Sequence, residues 1–147
     1  MSIGTERIET APAADNATAR TRARTLTLWA GRSTVSIAAL HTALFAVKSR
    51  SEWTGWLSGD LRGADPATHA ESASLFWALP GGFVIPLLLL GLLLSHMART
   101  DQKVPPYVGW AIAAWVLPAA WILGPSGFLL GLVPAALLIL ASRRARR

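Results

Sequence analysis

The chain has 147 residues, 52% of them hydrophobic and 15% charged, and a formal net charge of +6. So apolar a composition at this length excludes an ordinary small soluble domain and reads as one integral membrane domain. With no cysteine, disulfides, thiolate catalysis, zinc–thiolate sites and iron–sulfur clusters are excluded as well.

Residues 1–25, MSIGTERIETAPAADNATARTRART, are rich in Ala, Thr, Arg and acidic side chains without sustained apolar periodicity. They read as a disordered cytoplasmic tail. A cleaved signal peptide is disfavoured, because the apolar run that follows carries Arg32 and His41 and has no small-x-small site before Lys48. That run, Leu26 to Val47, is the first of four expected membrane spans. The others are Ser74 to Ala98, Tyr107 to Leu123, and Pro125 to Ser142, followed by a basic tail at 143–147. A rise of about 1.5 Å per residue against a hydrocarbon core of about 30 Å makes the first two comfortable. The last two are shorter and joined only by GPSG, so they form either a thin pair of spans or a re-entrant hairpin.

Between the first two spans, the outer loop Lys48 to Ser74 holds Asp60, Asp65, His69 and Glu71. Asp65 is expected to cap a helix beginning at Pro66. His69 and Glu71, two positions apart on that helix, then diverge, and no metal site is expected. Trp53 and Trp56 are expected to lie along the membrane surface. Pro80 and Pro86, Pro118, and Pro134 fall inside the second, third and fourth spans, which predicts proline-kinked helices held in a compact bundle.

Arg20, Arg22, Arg24, Arg99, Lys103, Arg143, Arg144, Arg146 and Arg147 collect on one side of the spans. The opposite side has few cations, offset by acids, so the positive-inside rule places both termini in the cytoplasm. Trp29, Tyr107 and Trp110 fall at the inner boundary, Trp77 and Trp121 at the outer one, where aromatic belts form. The fold class is therefore an all-α four-helix transmembrane bundle. Flanking charge of this kind is a topology signal, and no nucleic-acid partner is expected.

Arg32 shares a helical face with Ser36, Ala39, Ala43 and Ala46, a seam of small residues expected to pack inside the bundle. Its guanidinium reads as snorkelling to headgroups or bonding a freed carbonyl, with an anion or headgroup site as the sharper alternative. His41, on another face beside Phe45, reads as an interhelical hydrogen bond or as a contact for a quinone, haem or proton. No acidic residue lies within the four spans, and no nucleophile–base set or phosphate-binding glycine loop is present. No cofactor is expected, and catalysis by this chain alone is disfavoured.

The first-span WAGR and HT, LFWALPGG and LLLLGLLL in the second, PPYVGW opening the third and GPSGFLLGLVPAALLIL at the end resemble a domain-of-unknown-function family of small bacterial membrane proteins. The size and layout look more loosely like DoxX-like membrane proteins. The resemblance covers roughly residues 28–140 and implies a four-helix fold in the bacterial plasma membrane, with no catalytic residues. Two functions remain in view. One is a non-enzymatic membrane protein acting through self-association or membrane partners, resting on the first-helix seam, on Gly127-x-x-x-Gly131-x-x-x-Ala135 and on basic tails that hold anionic lipid. The alternative is an accessory subunit binding a quinone or lipid near His41.

Overall fold

The structure, a computed structural model, describes residues 10–65, 67–124 and 126–145. Among them are six α-helices, one 3₁₀ segment and no strand, so the fold is all-α. The helices are α1 (Thr10–Lys48), α2 (Trp53–Ser58), α3 (Ala70–Ala78), α4 (Val84–Arg99), α5 (Tyr107–Leu123) and α6 (Leu132–Arg144), with the 3₁₀ segment at Gly127–Gly131. By length and composition Gly127–Arg144 is long and apolar enough to cross a membrane, and Val84–Arg99 and Tyr107–Leu123 are shorter apolar helices.

α1 packs against both α4 and α6, and α5 packs against α6. Ala30, Leu94 and Leu138 meet at the junction of α1, α4 and α6, with Val108 and Ile112 of α5 covering them. Glycine sets the spacing. A Cβ built on Gly31 would meet the Gly91 carbonyl and the Ser95 nitrogen, both at 2.7 Å, and one built on Gly91 would meet the Gly31 carbonyl at 2.9 Å. α1 and α4 thus cross with backbone against backbone, which side chains larger than hydrogen forbid. Gly109 brings α5 nearly as close to α6, 3.0 Å from the Ile139 nitrogen by the same construction.

Four expectations about the elements change. Residues 10–25 were expected to be a disordered tail, yet α1 is helical from Thr10. Their composition is Ala-rich, Pro12 occupies the first turn where no hydrogen bond is lost, and extending an existing helix needs no new nucleus. Residues 1–9 lie outside the described residues. The second span is not one helix: α3 ends at Ala78 and α4 begins at Val84. Pro80 disfavours helical geometry at Leu79, whose φ and ψ are −114° and −113°.

The third change concerns the prolines. Pro86 and Pro134 each fall third in their helices, within a first turn whose N–H groups need no partner, so Pro118 alone of the four sits inside a helix. In the outer loop, the helix expected from Pro66 begins at Ala70 instead. Asp65 accepts from the Ala67 N–H at 3.1 Å and so organises the preceding turn. Pro66 and Pro125 themselves lie outside the described residues.

Candidate functional site

α1 decides where Arg32 and His41 go. Its buried stripe is Thr27, Ala30, Gly31, Thr34 and Ala38, a spacing that keeps one face toward α4 and α6. Arg32, Ser36, Ala39 and Ala43 are exposed. The seam expected to pack inside is therefore on the outside, and the correction has a simple cause: a guanidinium cannot enter an interface built for backbone contact. Arg32 instead places its guanidinium 5.4 Å from the Trp29 ring centroid, a cation–π contact on an exposed face.

His41 lies on the inner side and is half-buried. Its Nε2 is 2.8 Å from the carbonyl oxygen of Ala78, the last residue of α3. In a continuous helix that oxygen would accept from residue 82, but the Pro80-Gly81-Gly82 break removes the partner. Gly82 reaches only the Leu79 carbonyl, at 3.4 Å. Nε2 of His41 carries the donating proton, and the imidazole thereby caps the interrupted helix from α1. The expected interhelical hydrogen bond is present, and its cause is the break.

An aromatic cluster surrounds the imidazole. His41 stacks on Phe45 at 4.4 Å between centroids and tilts against Phe83 at 5.0 Å. Phe83 in turn meets Trp115 at 5.8 Å and Phe128 at 5.9 Å, and those two rings meet edge-on at 5.6 Å. The rings come from α1, the residue before α4, α5 and the 3₁₀ segment, so the cluster ties four segments together around the break. Sequence reading identified His41 and Phe45 as neighbours but missed Phe83, Trp115 and Phe128, which are far apart in sequence. Pro80-Gly81-Gly82 was the available signal, since a helix broken there frees a carbonyl that needs a donor from a neighbouring helix.

Arg32 and His41 are not brought together. Nine residues place them about 13 Å apart along α1, on different faces. In the outer loop, Trp56 does not simply lie on a surface: its Nε1 donates to Ser72 Oγ at 3.0 Å and its ring meets Phe76 edge-on at 5.6 Å. Trp53 and Leu57, four residues apart, remain exposed, Leu57 at 91%. Among the described residues no three His, Asp or Glu side chains come together as a metal-binding group.

The Gly127, Gly131 and Ala135 stripe also divides. A Cβ on Gly131 would lie 2.7 Å from Val116 of the same chain, Ala135 is buried, and only Gly127 has open space around it. Gly131→Leu is therefore a folding perturbation and not a test of assembly. It is expected to lower the thermal midpoint while Gly127→Leu leaves it unchanged, as read by tryptophan fluorescence in detergent.

Residues 25–145 match a family model described as a family of unknown function, DUF6463. No curated protein and no solved structure matches the chain.

Proposed function

We propose, for a chain that belongs to the DUF6463 family of unknown function, that it is a small multi-pass protein of the bacterial plasma membrane. α1, α4, α5 and α6 form the bundle, both termini are cytoplasmic, and the protein acts without catalysis through self-association or membrane partners. The looser likeness to DoxX-like proteins carries no part of this reading.

The observation that carries it is the inverted distribution of side chains. Large apolar groups face outward on every long helix: Leu40, Leu44 and Val47 on α1, Leu89 and Leu93 on α4, Leu117 and Ile122 on α5, Val133 and Leu140 on α6. Half of the buried apolar positions are Ala, Thr27 and Thr34 are buried with them, and the closest helix contacts are made at Gly31, Gly91 and Gly109. Water-soluble monomers do not expose apolar surface on all sides, whereas helices in lipid pack through small residues. Hydroxyls in the same region turn back to their own helices: Thr34 to Ala30 at 2.8 Å, Thr42 to Ala38 at 2.7 Å and Ser95 to Gly91 at 2.8 Å. Such bonds satisfy polar groups where lipid offers none. Trp29, Tyr107 and Trp110 near one end and Trp77 and Trp121 near the other are all exposed, Trp121 at 89%, as interfacial anchors are.

A topology experiment tests this. Because the natural chain has no cysteine, Ser58→Cys and Ala145→Cys each introduce one thiol. In spheroplasts, a membrane-impermeant maleimide should label Ser58→Cys at once and Ala145→Cys only after lysis. Labelling of Ala145→Cys in intact cells would refute the orientation.

For self-association, the support is the exposed Ser36, Ala39 and Ala43 face of α1, which presents small side chains on the outside of the bundle. Ala43→Leu should shift the oligomeric mass in native mass spectrometry while leaving the thermal midpoint within a few degrees. An unchanged mass removes this face as the contact. The quinone reading near His41 is less favoured, since the ring that would serve the ligand is enclosed by Phe45 and Phe83 and its Nε2 is engaged by Ala78.

A further inference from the structure

At the end of the bundle opposite the His41 cluster is a cavity of about 1080 Å³, formed by the N-terminal half of α1, the α4–α5 connection and the end of α6. We propose that it binds the phosphate headgroup of an anionic phospholipid in the cytoplasmic leaflet. This inference rests on the membrane reading above and assigns the inner end of that bundle a ligand.

Four cations line the cavity, and they come from three separate segments: Arg20 and Arg24 from α1, Lys103 from the connection, and Arg144 from α6. A single basic tail would scatter its charge in solvent, whereas this arrangement converges it on one volume. The one carboxylate in the lining, Asp101, is 3.4 Å from Arg24. Arg20, Lys103 and Arg144 have no ion-pair partner among the described residues. Like charges brought together in a recess repel, and an anion between them reverses the sign of that interaction.

The floor is apolar, with Val104 and Leu138 continuing into the junction beneath Ala30 and Leu94. A cationic rim over an apolar floor fits an amphiphile better than a free ion. The depth agrees: Arg24 and Arg20 precede Leu26 by two and six residues, so they rise about 3 and 9 Å above the first apolar residue, within the headgroup layer. Basic recesses between membrane helices on the cytoplasmic side are where anionic headgroups settle.

Asp101 makes the site adjustable. It takes a left-handed conformation, φ 54°, immediately after the α4 cap residue Thr100, where Gly or Asn is usual. Asp101→Asn keeps a residue suited to that backbone and removes the carboxylate that competes with phosphate for Arg24.

The test is native mass spectrometry of the full chain released from nanodiscs containing equal phosphatidylglycerol and phosphatidylcholine. Wild type is expected to retain phosphatidylglycerol preferentially. Arg20→Gln with Lys103→Gln should weaken retention by roughly 10- to 30-fold for the two charges lost, Arg20→Lys with Lys103→Arg should preserve it, and Asp101→Asn should strengthen it. Retention of both lipids alike, or no change in the double Gln variant, overturns the proposal. Displacement of the lipid by millimolar inorganic phosphate also overturns it, in favour of a free-anion site. A chain that fails to enter nanodiscs at all refutes the membrane reading instead, so the two failures are told apart.

Discussion

Gly91→Leu is expected to separate α1 from α4 and to lower the thermal midpoint by about 10 °C. The Cβ alone would stand 2.8 Å from Val35 Cγ2, 2.9 Å from the Gly31 carbonyl and 2.9 Å from the Val35 nitrogen. Two of those three obstacles are backbone atoms of a continuous helix, so they cannot rotate aside as a side chain would. Overpacking a core costs about 1–3 kcal/mol when neighbours can adjust, and here the upper end is expected. At this chain length about 3 kcal/mol corresponds to roughly 10 °C in the midpoint. Gly91→Ala, with the Cβ but no further bulk, should fall between. Thermal unfolding of the full chain in detergent, followed by tryptophan fluorescence, checks the series. A Gly91→Leu midpoint equal to wild type would mean that α1 and α4 do not cross at this glycine pair.

His41→Leu is the second large effect expected, and its comparison with His41→Gln says what the imidazole does. Leu keeps apolar volume but leaves the Ala78 carbonyl without its donor; an unsatisfied buried polar group costs about 1–3 kcal/mol. Loss of the stacked contact with Phe45 and the tilted one with Phe83 adds about 0.5–1.5 kcal/mol. His41→Gln retains an N–H donor and should recover part of the first quantity and none of the second. Stability measured in the same detergent should therefore rank wild type above His41→Gln, and His41→Gln above His41→Leu. Equal stability of all three would remove the capping role and return His41 to the list of ligand candidates.

Much of the helical layout is legible in the sequence because lipid-length apolar runs bounded by Pro, Gly and charge leave few choices. α5 has the expected limits, Tyr107 to Leu123, since Pro105 and Pro106 precede it and Gly124 ends it. α1 ends one residue beyond expectation, at Lys48. The break between α3 and α4 is less legible, because a single proline such as Pro80 is compatible with a kink in a continuous helix. Proline followed by two glycines removes a donor and adds backbone freedom at the same place, and together these stop the helix.

The inner face of α1 is less legible still. Small residues lie on both sides of this helix, Ala30, Gly31 and Ala38 on one and Ala39, Ala43 and Ala46 on the other, so size alone does not choose between them. Arg32 does choose, because its face must reach water or headgroups and cannot enter a contact set by glycine. The basic residues carried two messages at once. Counted along the chain they give an expected orientation, but only the fold shows Arg20, Lys103 and Arg144 around one cavity. Asp101, the lone acid among them, was the residue whose placement would have suggested it.

Embedding of the apolar exterior in lipid is the central claim, and paramagnetic accessibility tests it most directly. Leu89→Cys, Leu117→Cys and Val133→Cys, each carrying a nitroxide in the otherwise cysteine-free chain, sit on the outward faces of α4, α5 and α6. In liposomes all three labels should collide with dissolved oxygen, which partitions into the bilayer, and be shielded from a water-soluble nickel chelate. Free collision with the chelate at all three positions would contradict the account and place these faces in water.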